Sequence, residues 1–289
     1  MKKVFKSMLF VAMSLIVAGG FTACSEDEVK PTDKTKELVG PKPAKVVINV
    51  YEGHLHGYAG FHENKPYDGV KIMDKPQVFV FTMQNGKWVA DAKNPPYLYA
   101  MSYNQMHNSE ATVSHALDIK YYDEAGKLIN GQFIENGKSD HYQHFFVVEN
   151  QKAFSDFDKK LDNPANREFM RYDYVDPTPW NKTIHSGEGQ YNGLKDPLGF
   201  KGIASFGYSR QTCNLKIMLM ESYNKKNVRL KELEFRDNWG KPVEKYSKIP
   251  DWTPTPEQLK NEKWYPTITI PVMVYMDRNE LGEGEANVT

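Results

Sequence analysis

The feature that most constrains this chain is a recurring kind of turn. Four short stretches share a glycine–lysine exit: Gln84-Asn85-Gly86-Lys87, Asp123-Glu124-Ala125-Gly126-Lys127, Asn136-Gly137-Lys138 and Asp237-Asn238-Trp239-Gly240-Lys241. Asn-Gly and Asp-x-x-Gly supply the positive φ that tight hairpin turns require. Aromatic and β-branched runs flank these turns, which predicts hairpins over residues 77–90, 116–132 and 229–246. Period-2 patterning agrees. Val113, His115, Leu117, Ile119 and Tyr121 share one face of a strand, as do Cys213, Leu215, Ile217 and Leu219. Ile268, Ile270 and Val272 form a third such face, with Pro271 marking an edge strand. Helix signals are few. Thr255-Pro256-Glu257-Gln258 fits a capping box with proline at the first helical position, and Ser155 is a candidate cap for a short helix to Leu161. The fold class expected is mainly β: antiparallel and β-sandwich-like, with one or two short helices. Turn-rich segments at Asp162-Asn163-Pro164 and Asp176-Pro177-Thr178-Pro179 suggest two modules. These are a histidine-rich β domain over 44–150 and a second β domain over 165–289. One continuous larger sandwich is the alternative.

The amino terminus carries a different message. Lys2, Lys3 and Lys6 precede an apolar stretch from Met8 to Val17, then small residues and Cys24. That is the layout of a secretory signal peptide over 1–23, too short in its apolar part for a transmembrane helix. Phe21-Thr22-Ala23-Cys24 resembles a bacterial lipobox, which implies lipidation of Cys24. The acidic run Ser25-Glu26-Asp27-Glu28 resembles the surface-export signal of outer-membrane lipoproteins of the Bacteroidota. The resemblance covers 1–28. It implies a chain held to the outer membrane by its lipid anchor and exposed at the cell surface. Residues 24–43 then comprise the lipidated cysteine and a polar, proline-punctuated flexible tether. Lys plus Arg equals Asp plus Glu at 37 each, so nothing favours nucleic-acid binding. With Cys24 acylated, Cys213 is the one remaining thiol, which excludes an intramolecular disulfide and a cysteine-based metal site.

Candidate chemistry concentrates in the histidines. All but His185 of the eight lie in the first expected module: His54, His56, His62, His107, His115, His141 and His144. Val46, Ile48 and Val50 share a strand face, and an unbroken strand carries Glu52, His54 and His56 onward along that face. His62 can fold back toward them through Gly57 and Gly60. His141 and His144 point to opposite sides of an extended strand. His144 is preferred because it shares a face with Phe146 and Val148. The expected metal ligands are therefore His54, His56, His62 and His144, with Glu52 and His141 as further candidates. His115 is expected as a hydrogen-bonded core histidine, and His107 and His185 as loop residues. Imidazole suits zinc, copper and iron. Non-covalent haem is a second option, since there is no Cys-x-x-Cys-His; Tyr58, Phe61, Tyr97, Tyr99 and Phe145 are candidates for its aromatic platform.

Enzyme readings fare less well. The stretch "GHLHG" resembles the His-x-His of metal-dependent amidohydrolases, but that family needs an α/β barrel, and hairpins dominate here. His-x-His is also similar to the cupin motif, which implies a metalloenzyme. That motif places a glutamate three to four residues beyond the pair, whereas six residues separate His56 from Glu63. No Gly-x-Ser-x-Gly is present, and no catalytic residue is assigned. The expected function is nutrient capture: a surface lipoprotein that binds a metal ion, haem or metal chelate and passes it to a TonB-dependent outer-membrane transporter. The alternative is a glycan-binding or adhesive lipoprotein using Trp180 and Trp252 in their proline-rich loops, although the same two rings read first as caps on the sandwich core.

Overall fold

The structure, a computed structural model, describes residues 39–55, 61–63, 73–102, 113–156, 168–182, 190–191, 193–236 and 242–276. Among the described residues the chain is mainly β, with antiparallel sheets and two short α-helices, in a β-sandwich-like arrangement. The first sheet comprises β1 (Lys45–Leu55), β2 (Phe61–His62), β3 (Gln77–Gln84), β4 (Lys87–Ala90), β6 (Val113–Tyr122), β8 (Met170–Tyr174) and β11 (Lys201–Phe206). Its order is β4-β3-β1-β6-β11-β8, and β2 pairs with the end of β1. The second comprises β5 (Leu98–Met101), β7 (Tyr142–Ala153), β12 (Gln211–Glu221), β15 (Lys263–Trp264) and β16 (Ile268–Tyr275). β7 takes one edge of β12 along its whole length; β16 and β15 share the other, and β5 follows β16. Two further ribbons pair β9 (Pro177–Thr178) with β10 (Gln190–Tyr191), and β13 (Leu230–Arg236) with β14 (Pro242–Pro250).

This topology corrects the two-module expectation. β8 and β11, from beyond the expected boundary, complete the first sheet beside β6. β5 and β7, from before it, belong to the second sheet. Each sheet is interleaved in sequence, and the two close on a shared core. Val46, Ile48, Val50, Leu117 and Ile119 from one meet Leu215, Ile217, Ile268 and Ile270 from the other. Phe146 of β7 stacks on Tyr172 of β8 across the gap, with ring centroids 3.6 Å apart.

Local chemistry explains the elements. Asn85 (φ 50°) and Gly86 (φ 74°) make the two-residue turn between β3 and β4, as expected of Asn-Gly. The ribbon of β13 and β14 agrees with the hairpin over 229–246; its turn lies outside the described residues. After Gly126 (φ 78°) the chain does not return as a full strand. It makes one bridge, Tyr122 to Leu128, and then enters α1 (Gly131–Ile134). The Asn130 side chain takes the ladder's place: its Oδ1 accepts from Tyr121 N at 2.7 Å, and its Nδ2 donates to Ile119 O at 2.8 Å. The backbone is thereby released to bury Phe133. Two other amides close edges in the same way. Asn94 pairs both ways with the backbone of Val80, and Gln77 with that of Tyr99. The capping box forms as predicted, with Thr255 and Gln258 bonded reciprocally at the start of α2 (Pro256–Asn261). The candidate helix from Ser155 runs outside the described residues. Pro271 sits where β16 has an open side, because β5 pairs only from Val272 onward; over Val272–Tyr275 the strand is interior rather than an edge.

Candidate functional site

β1 carries its inward face from apolar to polar without a break. Val46, Ile48 and Val50 are buried, and so are Glu52 and His54 beyond them. The expected phase therefore holds through His54. β2 then lies antiparallel against the end of β1, with His62 directly opposite His54 and Phe61 opposite Leu55. The two imidazoles face each other at a centroid separation of 5.6 Å and a tilt of 30°. His54 is buried and His62 is exposed, so the pair spans from core to solvent.

The close approach of β2 depends on Gly53. A Cβ there would collide with the His62 carbonyl and the Phe61 ring. Phe61 closes the opposite face of the sheet, in a cluster with Ala116, Val175 and Ile203. The sequence pointed to Gly57 and Gly60 for this approach; both lie outside the described residues. The Gly53 signal was available, as a glycine inside a strand commonly marks close backbone approach.

Beneath the pair lies a buried carboxylate–imidazole contact. Glu52 Oε1 is 3.3 Å from His115 Nε2, on the directly opposing residue of β6. The other carboxylate oxygen accepts from Met73 N at 2.7 Å, and Met101 N approaches His115 Nε2 at 3.3 Å. Burial lowers the His115 pKa to about 4. His115 is thus the core histidine the strand pattern predicted, and Glu52 is engaged with it.

The other expected ligands lie elsewhere. His144 on β7 is a correction: it belongs to the core and not to the site. Its Nδ1 donates to Leu198 O at 2.9 Å and its Nε2 accepts from Tyr121 OH at 3.1 Å. Both nitrogens are used, and burial lowers its pKa to about 4. Its neighbour Tyr121 pairs with Val46, eight residues before His54 on β1, or roughly 26 Å along the strand. His141 ends a 3-10 helix (Lys138–His141) at that same distant end, with Nδ1 donating to Ser222 O at 3.0 Å. His56, His107 and His185 lie outside the described residues.

Lys226 carries no local signal in the chain. Its ammonium is buried, donates to the carbonyls of Ser139, Tyr142 and Pro197 at 2.8–2.9 Å, and pairs with Asp196 at 2.5 Å. Burial lowers its pKa. Its partners lie far apart in sequence, so no local pattern announces it. Asp176 is similar: it accepts from the backbone of Leu198, Gly199 and Lys201, and burial raises its pKa to about 6. Both fix the loop that holds His144.

Of the aromatic candidates for a haem platform, Tyr58 lies outside the described residues and the others are dispersed. Phe61 lies on the outer face of the first sheet, Tyr97 and Tyr99 cluster with Tyr275, and Phe145 packs on Trp264. Trp252 takes the core reading over the surface one. It is buried in the main core with Lys231 Nζ 4.6 Å above its ring, so it is not a surface platform. Trp180 is half-buried and approaches Gly131 of α1.

The spacing of the His54–His62 pair bears comparison with metal geometry. Two imidazoles on one tetrahedral ion, with metal–nitrogen bonds of about 2.0–2.1 Å, have ring centroids roughly 5 Å apart. The observed separation is 5.6 Å, with the rings tilted by 30°. Among the described residues, no group of three His, Cys, Asp or Glu side chains is arranged to hold an ion. Comparison with family models, curated proteins and solved structures found no match to this chain.

Proposed function

We propose that this chain is a surface lipoprotein that captures a transition-metal ion, or a small chelate of one, and passes it to an outer-membrane transporter. One observation carries the ligand class: His54 and His62 face each other across β1 and β2 at a spacing compatible with a shared ion. Imidazole selects zinc, copper or iron over calcium and magnesium. The exposed His62 offers a way in, and the buried His54 offers a fixed ligand. His56 is proposed as a third, on the strength of its phase with His54. The lipid anchor at Cys24 and the surface location rest on the Phe21-Thr22-Ala23-Cys24 and Ser25-Glu26-Asp27-Glu28 resemblances. The TonB-dependent partner rests on analogy with such lipoproteins. Haem is the less favoured cargo, because the candidate platform rings do not gather at the pair.

The test is a titration of the full chain in detergent with Zn²⁺, Cu²⁺, Fe²⁺ and haem separately. At least one ion is expected to bind stoichiometrically, and His54→Ala/His62→Ala to weaken it by at least about 100-fold, the upper end of what loss of a ligand's outer-shell partner costs. Absence of binding by every ion and by haem would sink the proposal. So would a double variant that binds as the wild type does.

A further inference from the structure

The outer face of the second sheet holds a second candidate site, unrelated to the histidine pair. β7 and β12 slip register between Thr212 and Asn214. Asn150 and Gln151 together oppose Cys213, and Asn150 adopts a left-handed backbone at φ 56°. This is a β-bulge, a device that re-aims side chains and recurs beside functional sites. An open depression of about 420 Å³ lies over it, lined by Tyr97, Asn150, Lys152, Thr212, Asn214 and Pro271.

The amides of Gln77, Asn94 and Asn130 each bond to backbone and close a ladder. Those of Asn150 and Asn214 have no partner among the described residues; nor do the hydroxyls of Tyr97 and Thr212 or the ammonium of Lys152. Five polar side chains thus converge with their bonding capacity unspent. Two are amides, which donate and accept side by side. The Tyr97 ring beside them is braced edge-on by Tyr99 at 6.1 Å, and Tyr99 stacks on Tyr275 at 6.3 Å. The charge is of one sign. Glu149, next along β7, is held by Lys216 at 2.8 Å, which leaves Lys152 as the ionic group lining the depression.

A braced aromatic ring suits the C–H face of a sugar. Adjacent amides and a hydroxyl suit its vicinal hydroxyl groups. An unpaired ammonium suits an acidic substituent. We propose that this depression binds an anionic sugar unit of a glycan, with the sugar stacked on Tyr97, its hydroxyls bonded to Asn150, Thr212 and Asn214, and its acidic group facing Lys152. The site operates independently of the metal pair.

The experiment is calorimetric titration of the full chain in detergent with three probes: oligogalacturonate, a chondroitin sulfate tetrasaccharide and a neutral galacto-oligosaccharide. The first two distinguish a carboxylate from a sulfate as the acidic group. At least one is expected to bind more tightly than the neutral probe. Tyr97→Ala is expected to weaken it roughly tenfold, about the effect of one good contact. Lys152→Ala is expected to erase the preference over the neutral probe. All these side chains lie on the outer face, so unchanged melting checks the fold, and unchanged metal binding checks the independence of the sites. Failure of both acidic probes to outbind the neutral one overturns the proposal. So does wild-type affinity in Tyr97→Ala and Lys152→Ala, or equal binding of free sulfate or acetate.

Discussion

His144 and the His54–His62 pair have the same side-chain chemistry and opposite circumstances. His144 is sealed between the sheets, with one nitrogen donating to Leu198 O and the other accepting from Tyr121 OH. It has no lone pair left for an ion, and burial keeps it neutral. His54 and His62 sit where β1 runs out of apolar residues, and one ring of the pair reaches solvent. A histidine on an apolar face is therefore not one category. What separates the two cases here is exposure: His144 is sealed with both ring nitrogens bonded, whereas one ring of the pair reaches solvent.

The contrast can be tested at both ends. The largest effect is expected from His144→Ala. It leaves a cavity, a buried carbonyl and a buried hydroxyl without partners, and should cost about 4–5 kcal/mol of stability in urea unfolding. Metal affinity per folded molecule should not change. A loss below about 1 kcal/mol would mean that His144 is not the core residue described.

Acid should act on the same residue. The folded-state pKa is about 4, below the ordinary value of 6.5, so the unfolded chain binds the proton first. The contribution of His144 is complete above pH 6.5 and is lost as pH falls toward 4, by roughly 3 kcal/mol for such a shift. Asp176 works in the opposite sense. Its folded pKa of about 6 lies above 3.8, so its contribution is complete at low pH and declines as pH rises through 6. The difference in pH slope between wild type and His144→Phe isolates the histidine. Identical slopes would contradict a buried, neutral imidazole.

Gly53→Ala addresses the other end. The added methyl must displace β2, at about 1–3 kcal/mol. Metal affinity should fall although both histidines remain; an unchanged affinity would break the link between β2 and the site. His62→Ala should have the smallest effect on stability, within about 0.5 kcal/mol as for exposed substitutions, while removing a ligand. If it proves as destabilising as His144→Ala, the two classes of histidine are not distinct.

Much of this contrast was legible in the chain. The alternation through Val46, Ile48, Val50, Glu52 and His54 was enough to phase β1, because strand periodicity is local. The Asn85-Gly86 turn and the Thr255–Gln258 box were equally local. The partners of His144 were not: Leu198 lies 54 residues away and is delivered by a loop fixed through Lys226 and Asp176. The interleaving of the sheets escaped for the same reason, since pairing of β6 with β11 leaves no trace in either strand's own pattern. Trp252, in a proline-rich setting open to a surface or a core reading, takes the core one. The return strand expected near Gln132 failed on one side chain. Asn130 supplies a strand's hydrogen bonds without a strand.

The position of β1 also has a mechanical consequence. The segment before it is fastened by Tyr265 OH donating to Pro41 O, and the chain then enters the sheet at Lys45. β3 and β6 flank β1, and β6 pairs with it from Lys45 to His54. A pull on the preceding residues therefore runs along the strand and loads its ladders in shear, all rungs together, instead of peeling them one by one. His54 lies nine residues beyond Lys45, about 30 Å farther along the strand. Tension at the amino-terminal end is borne by the rungs before it reaches the imidazoles.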